Sequence, residues 1–148
     1  MATLSVQDIV DANLLMQASY SNTSAELNAA LAGSGWDPIP QDNGQDIFYK
    51  DPWLSAPVTG FMAQNENTLA IAFQGSNELT DWITSDVGGG LISWAPLYSA
   101  YLDFLENLFS YLGTQKGIGI EKIIVTGHSL GAAMVEYFMK EMGSIDSR

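Results

Sequence analysis

The sequence predicts an α/β fold, a mostly parallel sheet covered by helices. Three observations carry that expectation. Residues 69–73 are apolar at every position and 123–125 are apolar within a third strand-like run, the pattern of strands covered on both faces. Helical periodicity fills 98–112 and 130–142, on either side of that third run. Strands of this kind alternating with long helices indicate a layered α/β architecture. The chain has 148 residues, 47% of them hydrophobic and 15% charged, so it fits one domain and can bury a real core.

The elements follow in order. Ser5 to Asp8 fit a capping box, and Val6, Ile9, Val10 and Leu14 continue at helical spacing, so a helix is expected over 6–18. Thr23 to Glu26 repeat the cap signal, Leu27, Ala30 and Leu31 line one face, and Gly33 ends this second helix. Residues 34–57 hold Pro38, Pro40, Pro52 and Pro57 among polar residues and read as a long loop with at most a short piece of structure. Runs at 58–64 and 68–73, separated by Asn65-Glu66-Asn67, read as a hairpin. Gly88-Gly89-Gly90 leaves the backbone nearly unrestricted. Tyr98, Tyr101, Leu102, Leu105, Leu108, Phe109 and Leu112 mark an amphipathic helix, with Gly113 and Gly117-Ile118-Gly119 ending it. Residues 122–126 form the third strand and 130–142 the last helix. The organisation is one domain over 1–148: helices in 1–33, a loop over 34–57, and the core over 58–142.

Composition narrows the chemistry. A net charge of −12 repels phosphate, which argues against nucleic acid and against anionic membrane surfaces. The absence of cysteine excludes disulfides, thiolate metal sites and a cysteine nucleophile. His128 is the one histidine, so two-imidazole mechanisms and two-histidine metal sites cannot come from this chain alone; no metal and no cofactor are expected. The N-terminus lacks a basic region and an apolar region, so no signal peptide is expected, and no stretch is long and apolar enough to span a bilayer. The expectation is a cytoplasmic protein, or one exported by a C-terminal signal.

Gly127-His128-Ser129-Leu130-Gly131 stands between the third strand and the last helix. This is G-x-S-x-G in the strand–turn–helix setting that gives the pattern its meaning. A nucleophilic serine must stand clear of the sheet on a tight turn, so Gly127 and Gly131, two positions away on either side, keep the turn free of side chains. The following helix N-terminus favours developing negative charge, and the Leu130 N–H is the natural first oxyanion donor. The bland alternative is a glycine-rich turn with an inert serine. Ala132 and Ala133, which let the helix approach the strand, favour the functional reading.

These residues resemble the nucleophile elbow of the class 3, fungal-lipase-like branch of the α/β-hydrolases. A second block agrees: Leu69 to Ser76, then Asp81-Trp82, is similar to that family's strand ending in Phe-Arg-Gly-Ser/Thr followed by Asp-Trp. The resemblance covers about 58–142. It implies that Ser129 is the nucleophile and that the N–H groups of Ser76 and Leu130 hold the oxyanion. Gly75, Asp81, Trp82, Gly127, His128 and Gly131 would be motif or structural residues, with His128 packed in the elbow and turned from the serine hydroxyl. Two departures bear on substrate detail: Gln74 stands where the family usually has arginine, and 94–101 lacks its His-x-Gly-Phe stretch.

In α/β-hydrolases the triad runs Ser, acid, His. After Ser129 come Glu136, Glu141 and Asp146, and no histidine. The expectation is therefore an α/β-hydrolase domain truncated after the elbow helix, without triad acid and base, and nearly inactive alone. The parent activity implied is carboxylic ester hydrolysis of lipase type, on a lipid or other ester. The rival is a non-catalytic binding or assembly module that keeps the hydrolase core. A complementing C-terminal half, or self-association through an open strand edge, follows as the partner expectation. Residues 88–94 read either as a lid or as a surface loop with a buried tryptophan.

Overall fold

The computed structural model describes residues 3–21, 23–40, 47–50, 58–74 and 102–128, together with 132, 135–136 and 138–140 of a following helix. The elements are α1 (Val6–Ala18), α2 (Ser24–Leu31), β1 (Asp37–Ile39), β2 (Ile47–Lys50), β3 (Val58–Asn65), β4 (Thr68–Phe73), α3 (Leu102–Leu112), α4 (Gln115–Ile118) and β5 (Lys122–Gly127).

The first helix begins where the sequence places it. The Ser5 side chain accepts from the Asp8 N–H at 3.1 Å, and the Ser5 N–H donates to Asp8 Oδ2 at 2.7 Å, closing the capping box. Thr23 caps α2 in the same manner, accepting from the Glu26 N–H at 3.1 Å. Beyond α2 the chain turns at Gly33, whose φ of +74° lies in the left-handed region that glycine enters without steric cost.

The described strands form one five-stranded sheet in the order β1-β3-β4-β5, with β2 also against β3. It is not mostly parallel. β1 and β2 both pair antiparallel with β3, β1 along 62–64 and β2 along 58–61, so they share one edge of that strand. β3 and β4 are antiparallel as well, joined by a two-residue turn with Asn65 opposite Thr68. A short turn can only reverse the chain, whereas a parallel pair needs a long crossover. That crossover is residues 74–121, which include α3 and α4, and it delivers β5 parallel to β4.

The loop expected over 34–57 therefore supplies two short strands. Pro38 is compatible with β1 because among the described residues that strand pairs on one side, with β3, and a proline cannot donate on the other. α4 was not expected either. Thr114 Oγ1 accepts from the Gly117 N–H at 3.1 Å and restarts a helical turn where glycines read as a breaker. A Cβ on Gly117 would fall 2.5 Å from Leu112 Cα and 2.7 Å from the Tyr111 carbonyl carbon, so the turn depends on glycine there.

The sheet is covered on both faces. Phe61 and Ala63 of β3, Ala70 and Ala72 of β4 and Ile124 of β5 pack with Leu15, Ala18, Leu27, Leu31 and Trp36 in one buried cluster. The three alanines let α1 and α2 lie close to the strands. Alternation along β4 sends Leu69, Ile71 and Phe73 to the opposite face, and all three are buried. On that face the Tyr111 hydroxyl of α3 donates to Gln64 Oε1, and Phe73 meets Phe138 of the last helix with ring centroids 6.3 Å apart. β4 is thus buried on both sides, as its unbroken apolar run requires.

Candidate active site

The sheet's one parallel pair among the described residues sets the geometry. β4 and β5 run in register from Thr68 opposite Lys122 to Phe73 opposite Gly127. Their C-terminal ends therefore lie side by side. Ligands of open α/β sheets gather outside the carboxyl ends of the strands. Gln74 leaves one end and His128 the other.

Of the site residues expected from sequence, Gly127 and His128 are described. Gly127 is the last residue of β5, and His128 follows in a bend. Ser129, Leu130, Gly131, Gly75, Ser76, Asp81 and Trp82 lie outside the described residues, as does the segment 88–94. Glu136 is helical and exposed.

His128 is exposed rather than packed inside the turn. Its Nδ1 lies 3.3 Å from Tyr20 Oη, at the long end for a hydrogen bond. This contact joins residues 108 apart in sequence, and nothing in the pattern around Tyr20 announces it.

Two further contacts tie α1 to β5. Lys122 Nζ donates to Asp8 Oδ1 at 2.7 Å and Oδ2 at 2.9 Å, and Thr126 Oγ1 donates to the Ala12 carbonyl at 3.1 Å. Positions 122 and 126 differ by an even step within β5, so they share one strand face. Asp8 is almost fully buried, and its carboxyl is held down at about 2, first by the Lys122 ammonium and then by the Ser5 N–H. The sequence shows Asp8 as a capping residue, but its ion pair spans 114 positions and carries no local signal.

At the far end of β5 the hairpin turn is secured. The Glu121 N–H donates to the Asn67 carbonyl at 2.8 Å, and Asn67 Nδ2 donates to Glu121 Oε2 at 2.7 Å. β5 is therefore fixed at its start by Asn67 and along one face by α1. Among the described residues no group of three or more His, Asp or Glu side chains comes together to hold a metal. No helix among them is long and apolar enough to cross a membrane.

No protein-family model matches the sequence, and no curated protein does. Solved structures do match. The chain is similar to a lipase from Rhizopus microsporus var. chinensis at 18% identity and a TM-score of 0.54, over 97% of this chain and 54% of that one. A second match is a triacylglycerol lipase described as having a serine-protease triad at its catalytic centre. It has 23% identity and a TM-score of 0.46, over 95% of this chain and 58% of that one. The first likeness is one of fold: part of a lipase fold, a mixed sheet with helices. The chain spans about half the length of the solved structures it matches.

Proposed function

We propose that this chain, with part of a lipase fold, supplies the nucleophile half of a carboxylic ester hydrolase of lipase type. One observation supports this above the rest: the parallel pairing of β4 with β5, which brings two chain exits together. Ser129 follows Gly127 by two residues and Ser76 follows Phe73 by three. Chain reach alone holds them within about 7 Å and about 11 Å of those two neighbouring strand ends.

The chemistry follows from the residue types. The Ser129 hydroxyl attacks the ester carbonyl. The N–H groups of Ser76 and Leu130 hold the oxyanion as the carbonyl oxygen gains charge. A base must take the serine proton and return it to the leaving alkoxide. His128 is not assigned as the base, since it is the residue next to the nucleophile and its Nδ1 is at Tyr20. An acid and a histidine from outside these 148 residues would complete the triad, and acylglycerols or other esters are the substrate class. The second reading is a binding or assembly module that keeps this core without its chemistry.

Chemical rescue separates the two. Exogenous imidazole supplied to the chain and to Ser129→Ala, with a p-nitrophenyl ester as substrate, stands in for the missing base. The expected outcome is faster turnover by the wild-type chain than by the variant at every imidazole concentration. Equal rates throughout would overturn the nucleophile assignment and favour the binding module.

A further inference from the structure

We propose that Tyr20 is a positioning residue for this site: its hydroxyl holds the His128 imidazole and thereby fixes the turn that leads into Ser129. The inference rests on the reading of Ser129 given above, and it concerns a residue that no motif marks.

Four observations carry it. First, the Tyr20 backbone is pinned. The N–H groups of Ser19, Tyr20 and Ser21 donate to the carbonyls of Leu15, Gln17 and Ala18 at 3.0, 3.2 and 3.0 Å, and Ser19 is buried. The side chain thus projects from a fixed point. Second, Tyr20 meets His128 directly, with Oη 3.3 Å from Nδ1. The bonds Lys122–Asp8 and Thr126–Ala12 hold α1 along β5, so the residues that follow each element emerge from two elements already joined. Third, the strand ladder with β4 stops at Gly127 opposite Phe73, so His128 is the first residue beyond its support. Fourth, Tyr20 and His128 are both exposed, so their contact closes no core and replacing the phenol oxygen leaves the packing of α1 intact.

The bond has a chemical direction. A phenol is a better proton donor than a neutral imidazole N–H, and imidazole nitrogen is the better acceptor. The Tyr20 O–H therefore donates to Nδ1, and the proton of the neutral ring sits on Nε2. One tether of this kind removes rotational freedom from a residue flanked by Gly127 on one side and the nucleophile on the other. Small displacements of a nucleophile are costly in rate, which is why such a tether would be kept.

The chain holds a single histidine, so its imidazole nitrogens give one unassigned-proof set of resonances in a long-range nitrogen–proton NMR spectrum. Wild type, Tyr20→Phe and Thr126→Val are compared. Thr126→Val removes a different bond between α1 and β5 and reports general loosening of the helix. Wild type is expected to show the Nε2–H tautomer. Tyr20→Phe is expected to shift toward a tautomer mixture, to raise amide exchange at 127–130, and to lower the Ser129-dependent, imidazole-rescued kcat about tenfold with KM unchanged. Thr126→Val is expected to leave the imidazole resonances where they are. Unchanged resonances in Tyr20→Phe overturn the tether. Shifted resonances with unchanged exchange at 127–130 overturn the positioning role. Equal effects from Thr126→Val also overturn it, since the helix and not Tyr20 would then be responsible. If Ser129→Ala matches wild type in rescued rate, the enzymatic reading fails by itself, and the resonance and exchange measurements still decide whether Tyr20 holds the turn.

Discussion

Asp8 illustrates how one side chain can serve a local and a distant purpose. Its carboxylate closes the cap of α1 on Ser5 and receives the Lys122 ammonium at the start of β5. Both partners favour the charged form, which is why its pKa falls from an ordinary 3.8 to about 2. A carboxyl whose folded value lies below its unfolded one stabilises the fold above the unfolded value and loses that contribution as pH falls through the folded value. Thermal melts followed by circular dichroism between about pH 4 and pH 2 should therefore show a fall in midpoint that is shallower in Asp8→Asn. The cap alone is a smaller matter. Ser5→Ala is expected to cost about 1 kcal/mol in denaturant unfolding. The sequence reveals Ser5 and Asp8 because a cap is a pattern within four residues. It hides Lys122, Thr126 and Tyr20, because a contact spanning more than a hundred positions leaves no periodicity behind.

Among the elements, those with strong local signals appear where expected. α1 spans Val6–Ala18 as its periodicity requires, and the β3–β4 hairpin follows from two apolar runs across a polar break. β1 and β2 were not legible, since strands of three and four residues beside prolines acquire their structure from pairing with β3. α4 was hidden by its glycine, which reads as a breaker yet is the one residue that fits against Tyr111 and Leu112. Gly117→Ala should accordingly destabilise the chain by about 1–3 kcal/mol in chemical denaturation, the cost of overpacking against backbone. The hairpin offers the opposite case. Glu66 holds a φ of +52°, a region costing a non-glycine residue roughly 1–2 kcal/mol. Glu66→Gly relieves that strain and should raise the melting temperature, because the side chain is exposed and the relief exceeds the added entropy of glycine. Leu15→Ala, in the buried seam between α1 and the sheet, should cost about 2–5 kcal/mol.

For the whole molecule, the layered α/β class expected from the sequence is present, whereas the mostly parallel sheet expected with it is not: three of the four described strand pairings are antiparallel. Apolar runs report that a strand is covered; they do not report how its neighbour runs. Direction is decided by connection length, and the connection from β4 to β5, 48 residues over 74–121, is long enough for a parallel partner. The candidate site stands at that partner's end. Of its residues, the motif around Ser129 was legible as a pattern, while the support from α1 was not. Among the described residues no strand pairs with the free edge of β5, which leaves backbone groups able to recruit another strand. A net charge of −12 opposes such contact at low ionic strength, and salt screens it. Sedimentation velocity is expected to show association that grows with added salt; a constant sedimentation coefficient would mean that the edge is protected.

The joining of α1 to β5 also has a consequence for how the protein is made. Asp8 leaves the ribosome 114 residues before Lys122. At roughly 5–20 residues per second, the first helix waits on the order of 6–20 s for the strand it rests on. Through that interval its cap can form, but Leu15 and Ala18 have no sheet to cover them, and Val6, Ile9 and Val10 are exposed even afterwards. Nascent chains stalled before and after residue 128 should then differ sharply in protease sensitivity within the first twenty residues. Assembly of the site and shelter of the N-terminus would be one event, set by the emergence of β5.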